Sequence, residues 1–285
     1  MDKKNLAETK EFLEQNGYCV VSDVFSEQEI FDFRSSFDEV VERASEQNLV
    51  IRNHDDNILV KGDLAGQKEF HEFDYFIFNK KIVQIAKDLI GSDPIYFGES
   101  NMQSGVGDRG FHSDNRKIDR ESLAGEDWKG DYNLIRIAIY LHPSDNVSGG
   151  IKIVPGSHKI PTSRFLFGHK NIKANIGDVV IWKLTTTHSG NAKRIKFFNW
   201  LSIHPRLEKF VPLWAENQNT LSRKAMFIVY AGAGNHYDRY LEYFNSREDY
   251  TEYQLYSGNS TELDSLAEEA GVKRIIPSQK FGSKY

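Results

Sequence analysis

Cysteine is almost absent: Cys19 stands alone in 285 residues. No disulfide can form within the chain, and without a CxxC pair a thiolate zinc or redox centre is excluded. A reducing, cytoplasmic setting is the expectation. Long apolar runs are lacking too. No stretch reaches the ~18 residues needed to cross a bilayer, and the charged start Met1-Asp2-Lys3-Lys4 has no signal-peptide core, so no transmembrane segment is expected. Positive charge is not in excess, since 36 Lys and Arg face 41 Asp and Glu for a net −5, with no long block of either sign. That balance speaks against nucleic acid as a partner and leaves a small-molecule substrate. Nothing in the composition fixes an oligomeric state.

Aromatic side chains are plentiful, with 19 Phe, 13 Tyr and 4 Trp, enough for a sizeable core. The length suits one elaborated β-rich domain over residues 1–285. Residues 1–93 read as helical support with the first strand. A helix carrying Phe12 and Leu13 stops at Gly17, Tyr18-Cys19-Val20-Val21 reads as a strand, and Ser26 with Glu29 forms a capping box ahead of Ile30, Phe33, Phe37, Val40 and Val41 at helical spacing. A loop over 53–57 and a helix over 82–90 follow. Residues 94–205 turn to short β-runs between turn residues, with strands expected near 95–103, 110–115, 134–142, 151–154, 179–184, 187–191 and 195–203. Residues 117–133 read as a lid or substrate loop. Residues 206–285 read as a largely helical C-terminal extension, with helices at 237–244 and from Ser260 to Gly271. The fold class is mainly β with flanking helices.

Two histidines and one carboxylate on one face hold Fe(II) and leave further positions open. Residues i and i+2 of a strand share a side, so His-x-Asp delivers an imidazole and a carboxylate together. With 9 His and 20 Asp, about 0.6 such matches arise by chance, so context decides. Of three matches, His54-Asp55-Asp56 sits in a polar loop and His236-Tyr237-Asp238 opens a helix with no later histidine. His112-Ser113-Asp114 falls in the β-rich half. Its candidate third ligand is His188, with His142, His158, His169 and His204 as rivals. An oxygenase using 2-oxoglutarate also needs a cation for the far carboxylate, and Arg194 lies six residues past His188.

The chain resembles the phytanoyl-CoA dioxygenase-like branch of the Fe(II)/2-oxoglutarate oxygenases. The likeness rests on Asn16-Gly17-Tyr18-Cys19-Val20-Val21, Phe111-His112-Ser113-Asp114, Ser148-Gly149-Gly150 through Pro155-Gly156-Ser157-His158-Lys159, and Gly177-Asp178-Val179-Val180-Ile181-Trp182 leading to His188-Ser189-Gly190-Asn191. It implies a double-stranded β-helix, with His112, Asp114 and His188 as catalytic iron ligands. It further implies Fe(II), 2-oxoglutarate and O2 as cofactor and co-substrates, with succinate and CO2 released as a small polar or anionic metabolite, sugar acid or acyl compound is hydroxylated. In this family the anchoring arginine usually lies about ten residues past the distal histidine. Arg194 lies closer, and Lys193 is the alternative. Gln103 is a second expected co-substrate contact, and Asn115 and Arg116, next to the metal motif, are expected to touch substrate.

Gly105-Val106-Gly107-Asp108-Arg109-Gly110 fits a dinucleotide pattern, but no helix is expected after it. Phe197, Phe198 and Trp200 read as core or pocket wall. The alternative functions are a non-catalytic β-sandwich that binds a ligand or glycan, and a cupin-like metalloenzyme that does not use 2-oxoglutarate.

Overall fold

The computed structural model describes residues 3–46, 50–52, 58–60, 63–65, 73–105, 110–115, 125–142, 150–161, 167–190, 195–198, 201, 203–208, 210–216, 223–246 and 261–275. The elements in chain order are α1 (Lys3–Asn16), β1 (Tyr18–Val21), α2 (Glu27–Glu46), β2 (Val50–Arg52), β3 (Ile58–Val60), α3 (Asp74–Ile77), α4 (Lys80–Ile90), β4 (Ile95–Tyr96), β5 (Ser100–Ser104) and β6 (Leu134–Tyr140). Then come β7 (Lys152–Ile153), β8 (Lys170–Asn171), β9 (Val179–Lys183), β10 (His188–Ser189), α5 (Pro205–Glu208), β11 (Lys224–Ala231), α6 (Asn235–Ser246), α7 (Thr261–Ala270) and β12 (Lys273–Arg274). No helix among the described residues is long and apolar enough to cross a membrane.

Two sheets face each other. The larger runs β1-β9-β6-β11-β5-β3-β2, with β4 and β12 joined beside β11, and the smaller runs β10-β7-β8. Alternation decides which side chains meet between them. On β6, Ile135, Ile137 and Ile139 point to the helical layer of α2 and α4, as do Val179 and Ile181 of β9 and Met226 and Ile228 of β11. Their neighbours Ala138, Tyr140, Val180, Trp182, Ala225 and Phe227 face Ile151, Ile153 and Ile172 from the smaller sheet. This is the double-stranded β-helix expected from the sequence.

Local chemistry fixes the element ends. The Ser26 capping box forms in both directions, with Ser26 N donating to Glu29 at 2.7 Å and Glu29 N donating to Ser26 Oγ at 3.2 Å. Gly177-Asp178 is a structural turn. The Gly177 carbonyl accepts the amides of Val24 and Phe25, and the Asp178 carboxylate accepts those of Asp23 and Asn175.

Several expectations are corrected here. The segment after Pro205 carries the two expected helices, as α6 and α7, but also β11, which the sequence reading lacks and which is inserted between β6 and β5 in the larger sheet. The barrel core therefore extends past residue 205, beyond the segment 94–205. Residues 110–115 form no strand but a single bridge, His112 to His188. The described part of 195–203 makes isolated bridges instead of a strand, pairing Ile195 with Phe198 and with Glu216. Phe197 and Phe198 are not core: Phe197 is 94% exposed and has φ 67°, a conformation costing a side chain on the order of 1–2 kcal/mol. The 53–57 loop, Trp200 and the middle of the 105–110 glycine segment lie outside the described residues.

The Gly177 turn yields a stability prediction. At φ 87° an added Cβ would sit 2.1 Å from the Phe25 carbonyl oxygen, whereas Gly168, at φ 83°, has open space around it. Gly177→Ala is expected to cost about 3 kcal/mol or more and Gly168→Ala only about 1 kcal/mol, measured by urea denaturation. Equal losses would show that the close approach does not matter.

Candidate metal centre

His112, Asp114 and His188 meet at one end of the space between the sheets, with one ligand atom from each lying within 4.8 Å of the others. Backbone pairing brings them together. His112 N donates to the His188 carbonyl at 2.9 Å, His188 N returns a bond to the His112 carbonyl at 2.8 Å, and Asp114 N donates to the Leu184 carbonyl. The Pro-Gly-Ser-His turn supports the distal histidine, since Ser157 Oγ accepts Thr187 N at 2.8 Å. His158 in that turn is itself buried against the Glu14 carbonyl of α1, so it serves the framework.

Both imidazoles are oriented by their Nδ1 atoms. His112 Nδ1 lies 3.0 Å from the Gly110 carbonyl and His188 Nδ1 lies 3.0 Å from the Thr186 carbonyl. A carbonyl only accepts, which assigns a proton to each Nδ1, so in the neutral ring it is Nε2 that carries the lone pair. Those Nε2 atoms stand 4.0 Å and 3.7 Å from the same oxygen, Asp114 Oδ1. Burial pushes the His188 pKa down to about 4, so its ring is neutral at ordinary pH and suited to bind a cation. Burial raises the Asp114 pKa, but the Arg136 guanidinium, with the Trp182 N–H, outweighs it and holds the carboxyl below its usual value. Arg136 Nη1 bonds Oδ1 and Trp182 Nε1 bonds Oδ2, each at 3.1 Å. Arg136 is in turn paired with Glu99, which is 1% exposed. Two imidazoles whose Nε2 atoms converge on one carboxylate oxygen fit a divalent transition metal.

A cavity of about 140 Å³ adjoins His112 and His188, lined also by Asn101, Gln103, Tyr140, Trp182, Arg223 and Phe227. This is small beside the ~300–1,000 Å³ of sites for drug-sized ligands. Arg223, at the mouth of β11, is 2% exposed. Its guanidinium donates to the carbonyls of Gly150 and Gly190 and to Gln103 Oε1, all neutral acceptors. Arg223 Nε and the Tyr140 hydroxyl are buried with no hydrogen-bond partner among the described residues. Burial pushes the Tyr140 pKa up to about 12, which keeps the hydroxyl protonated as a donor.

Of the other residues singled out in the sequence, Gln103 lines the cavity. Asn115 does not. It has no exposed surface, and its amide donates to Asp127 at 2.9 Å, a carboxylate also gripped by Arg239. Asn115 thus ties the metal loop through Asp127 to α6, while its own Oδ1 is buried with no hydrogen-bond partner among the described residues. Arg116, Lys193 and Arg194 lie outside the described residues. The sequence reading passed over Arg136 and Arg223. The available signal was an arginine within or directly before an apolar strand, as in Leu134-Ile135-Arg136-Ile137 and Arg223-Lys224-Ala225-Met226-Phe227.

A family profile described as Phytanoyl-CoA dioxygenase (PhyH) matches residues 13–195. Ectoine dioxygenase of Streptomyces avermitilis is 25% identical over 154 residues, 51% of this chain and 49% of that protein. The Streptomyces coelicolor ectoine dioxygenase is 24% identical over 155 residues, 52% and 49% of the two chains. The chain therefore spans about half the length of the curated relatives it matches. Among solved structures, the non-heme α-ketoglutarate-dependent epimerase SnoN from nogalamycin biosynthesis superposes with a TM-score of 0.57 at 16% identity, covering 81% of this chain and 84% of that one. EctD from S. alaskensis gives 0.55 at 14% identity over 81% and 77%. These likenesses concern the fold. The profile match takes in the metal motif, the Pro-Gly-Ser-His turn and the distal histidine, and with it this chain belongs to the phytanoyl-CoA dioxygenase (PhyH) family.

Proposed function

We propose that the chain is an Fe(II)- and 2-oxoglutarate-dependent dioxygenase that hydroxylates a small polar or anionic metabolite. The observation that carries this reading is Arg223, a buried guanidinium bonded only to neutral oxygens among the described residues and facing the metal cavity. A buried charge without a counter-ion is costly, and an arriving carboxylate offsets that cost with paired charge-assisted bonds. His112, Asp114 and His188 would hold Fe(II), while Arg223, with Gln103 and the Tyr140 hydroxyl beside it, would take the far carboxylate of 2-oxoglutarate. When bound, iron, 2-oxoglutarate and O2 together supply the oxidising power for hydroxylation, with succinate and CO2 as by-products.

The chain's own residues supply position and charge. Trp182 and Arg136 fix both oxygens of Asp114, so Oδ1 stays aimed between the imidazoles. Thr186 and Gly110 hold the rings. The polar lining of Asn101, Gln103 and Arg136 favours a hydrophilic substrate over a hydrocarbon one. A purely ligand-binding sandwich leaves the convergence of two imidazoles on one carboxylate oxygen without a use.

Five variants test the assignment. Arg223→Ala is expected to weaken 2-oxoglutarate binding by about 100-fold, read by calorimetry on the Fe(II)-loaded protein, with Arg194→Ala changing it much less. The reverse ranking would move the anchor to Arg194, and no effect from either would favour a metalloenzyme that does not use 2-oxoglutarate. Arg136→Ala is expected to lower Fe(II) affinity by about 10–100-fold through loss of Asp114 orientation, with Arg136→Lys partly restoring it. Asp114→Ala should abolish stoichiometric iron uptake by elemental analysis. Full iron occupancy in that variant would sink the metal centre.

A further inference from the structure

Between β10 and β11 the chain leaves the barrel, and the described part of this excursion has an unusual surface. Two tight turns lie side by side. Phe198 N bonds the Ile195 carbonyl and Ala215 N bonds the Pro212 carbonyl, while Lys196 N donates across to the Ala215 carbonyl at 2.9 Å. Turn tips ordinarily carry Gly, Asn, Asp or Ser, which tolerate the backbone and face water. Here the tips carry Phe197, at positive φ and 94% exposed, together with Leu213 at 70% and Trp214 at 78%. Phe198, Leu207 and Phe210 are exposed beside them in sequence. A strained backbone that displays an aromatic ring to solvent calls for a use of that ring.

Charge narrows the partner. Residues 191–216 contain the basic Lys193, Arg194, Lys196, Arg206 and Lys209 and only two acids, Glu208 and Glu216. Both acids are buried, and Glu208 is paired with the fully buried Lys152 of β7. The exposed charges Lys196 and Arg206 are therefore positive, although the whole chain is acidic. Because Lys152 also donates to the Ile203 carbonyl, the base of the excursion is pinned to the smaller sheet. Protruding apolar tips with flanking cations suit the boundary of an anionic bilayer, where Trp and Phe enter the headgroup layer and Lys and Arg meet phosphate. A symmetric dimer through this patch would set like charges against each other.

We propose that the 195–214 excursion is a peripheral docking element for anionic lipid membranes, inserting Phe197, Leu213 and Trp214 into the headgroup region. His204, within the excursion, packs its ring 5.2 Å from Phe111, the neighbour of His112, so the docked face and the metal loop share a wall. The assignment stands independently of the iron chemistry.

The full-length protein would be mixed with vesicles of phosphatidylcholine, alone or with equimolar phosphatidylglycerol, and bound protein measured by co-sedimentation together with tryptophan emission. Binding to the anionic vesicles, a blue shift and release by high salt are expected. Phe197→Ser combined with Trp214→Ser should reduce partitioning by about tenfold or more with an unchanged melting temperature. If that pair does not fold, Lys196→Glu with Arg206→Glu should remove the preference for anionic vesicles. Failure of the wild-type protein to bind them, or undiminished binding by a folded variant, overturns the proposal. So does a dimer in light scattering that dissociates on substitution, which would assign the patch to a second copy of this chain.

Discussion

Asp114 must stay an anion inside the protein, and most of the site is arranged around that demand. Its side chain is only 7% exposed, and burial alone would favour the protonated acid, which binds metal poorly. Arg136 supplies the compensating charge, Trp182 supplies a neutral N–H on the other oxygen, and Glu99 balances the arginine in turn. Each partner comes from a different strand of the larger sheet or the edge leading into β5. The register of that sheet is thus a condition for the carboxylate's ionisation, and a slip of one residue would turn Arg136 and Trp182 to the helical side.

The two sheets have separate duties. The larger one places its polar side chains by alternation, so Asn101, Gln103, Arg136 and Trp182 enter the cavity while their neighbours pack on the helices. The smaller one supplies His188, whose backbone pairing with His112 brings the two residues together, and the Gly110 and Thr186 carbonyls then set the rings. Arg223 joins the two, reaching the Gly150 and Gly190 carbonyls on one side and Gln103 on the other. An anion bound there would touch groups from both halves of the sandwich.

Much of this was legible in the sequence where chemistry is local. The capping box at Ser26 and the alternation of Ile135, Ile137 and Ile139 each reflect one element's own geometry and match the structure, whereas His112 and Asp114 come together with His188 on a single bridge instead of the expected strand. The Gly177 turn and the Pro-Gly-Ser-His turn were visible as motifs, but their work became clear only through distant partners, Phe25 in one case and Thr187 in the other. What escaped was long-range. β11 reads as an isolated apolar run after a long excursion, and nothing nearby says that it fills the gap between β5 and β6. Arg223 lies 35 residues past His188, so a search near the histidine could not reach it. Asn115 misled for the opposite reason, since adjacency to the metal motif does not fix which way a side chain turns.

The central place of β11 has a bearing on how the chain is made. During synthesis β5 and β6 emerge well before the strand that separates them, and until it arrives both present open backbone edges and apolar faces to their surroundings. Tying so late a strand to the middle of the sheet raises the sequence separation of its contacts, which slows folding. It also means that a polypeptide ending before residue 223 contains His112, Asp114 and His188 but lacks the Arg223 guanidinium, so the cationic wall of the cavity is made after the imidazole and carboxylate side chains.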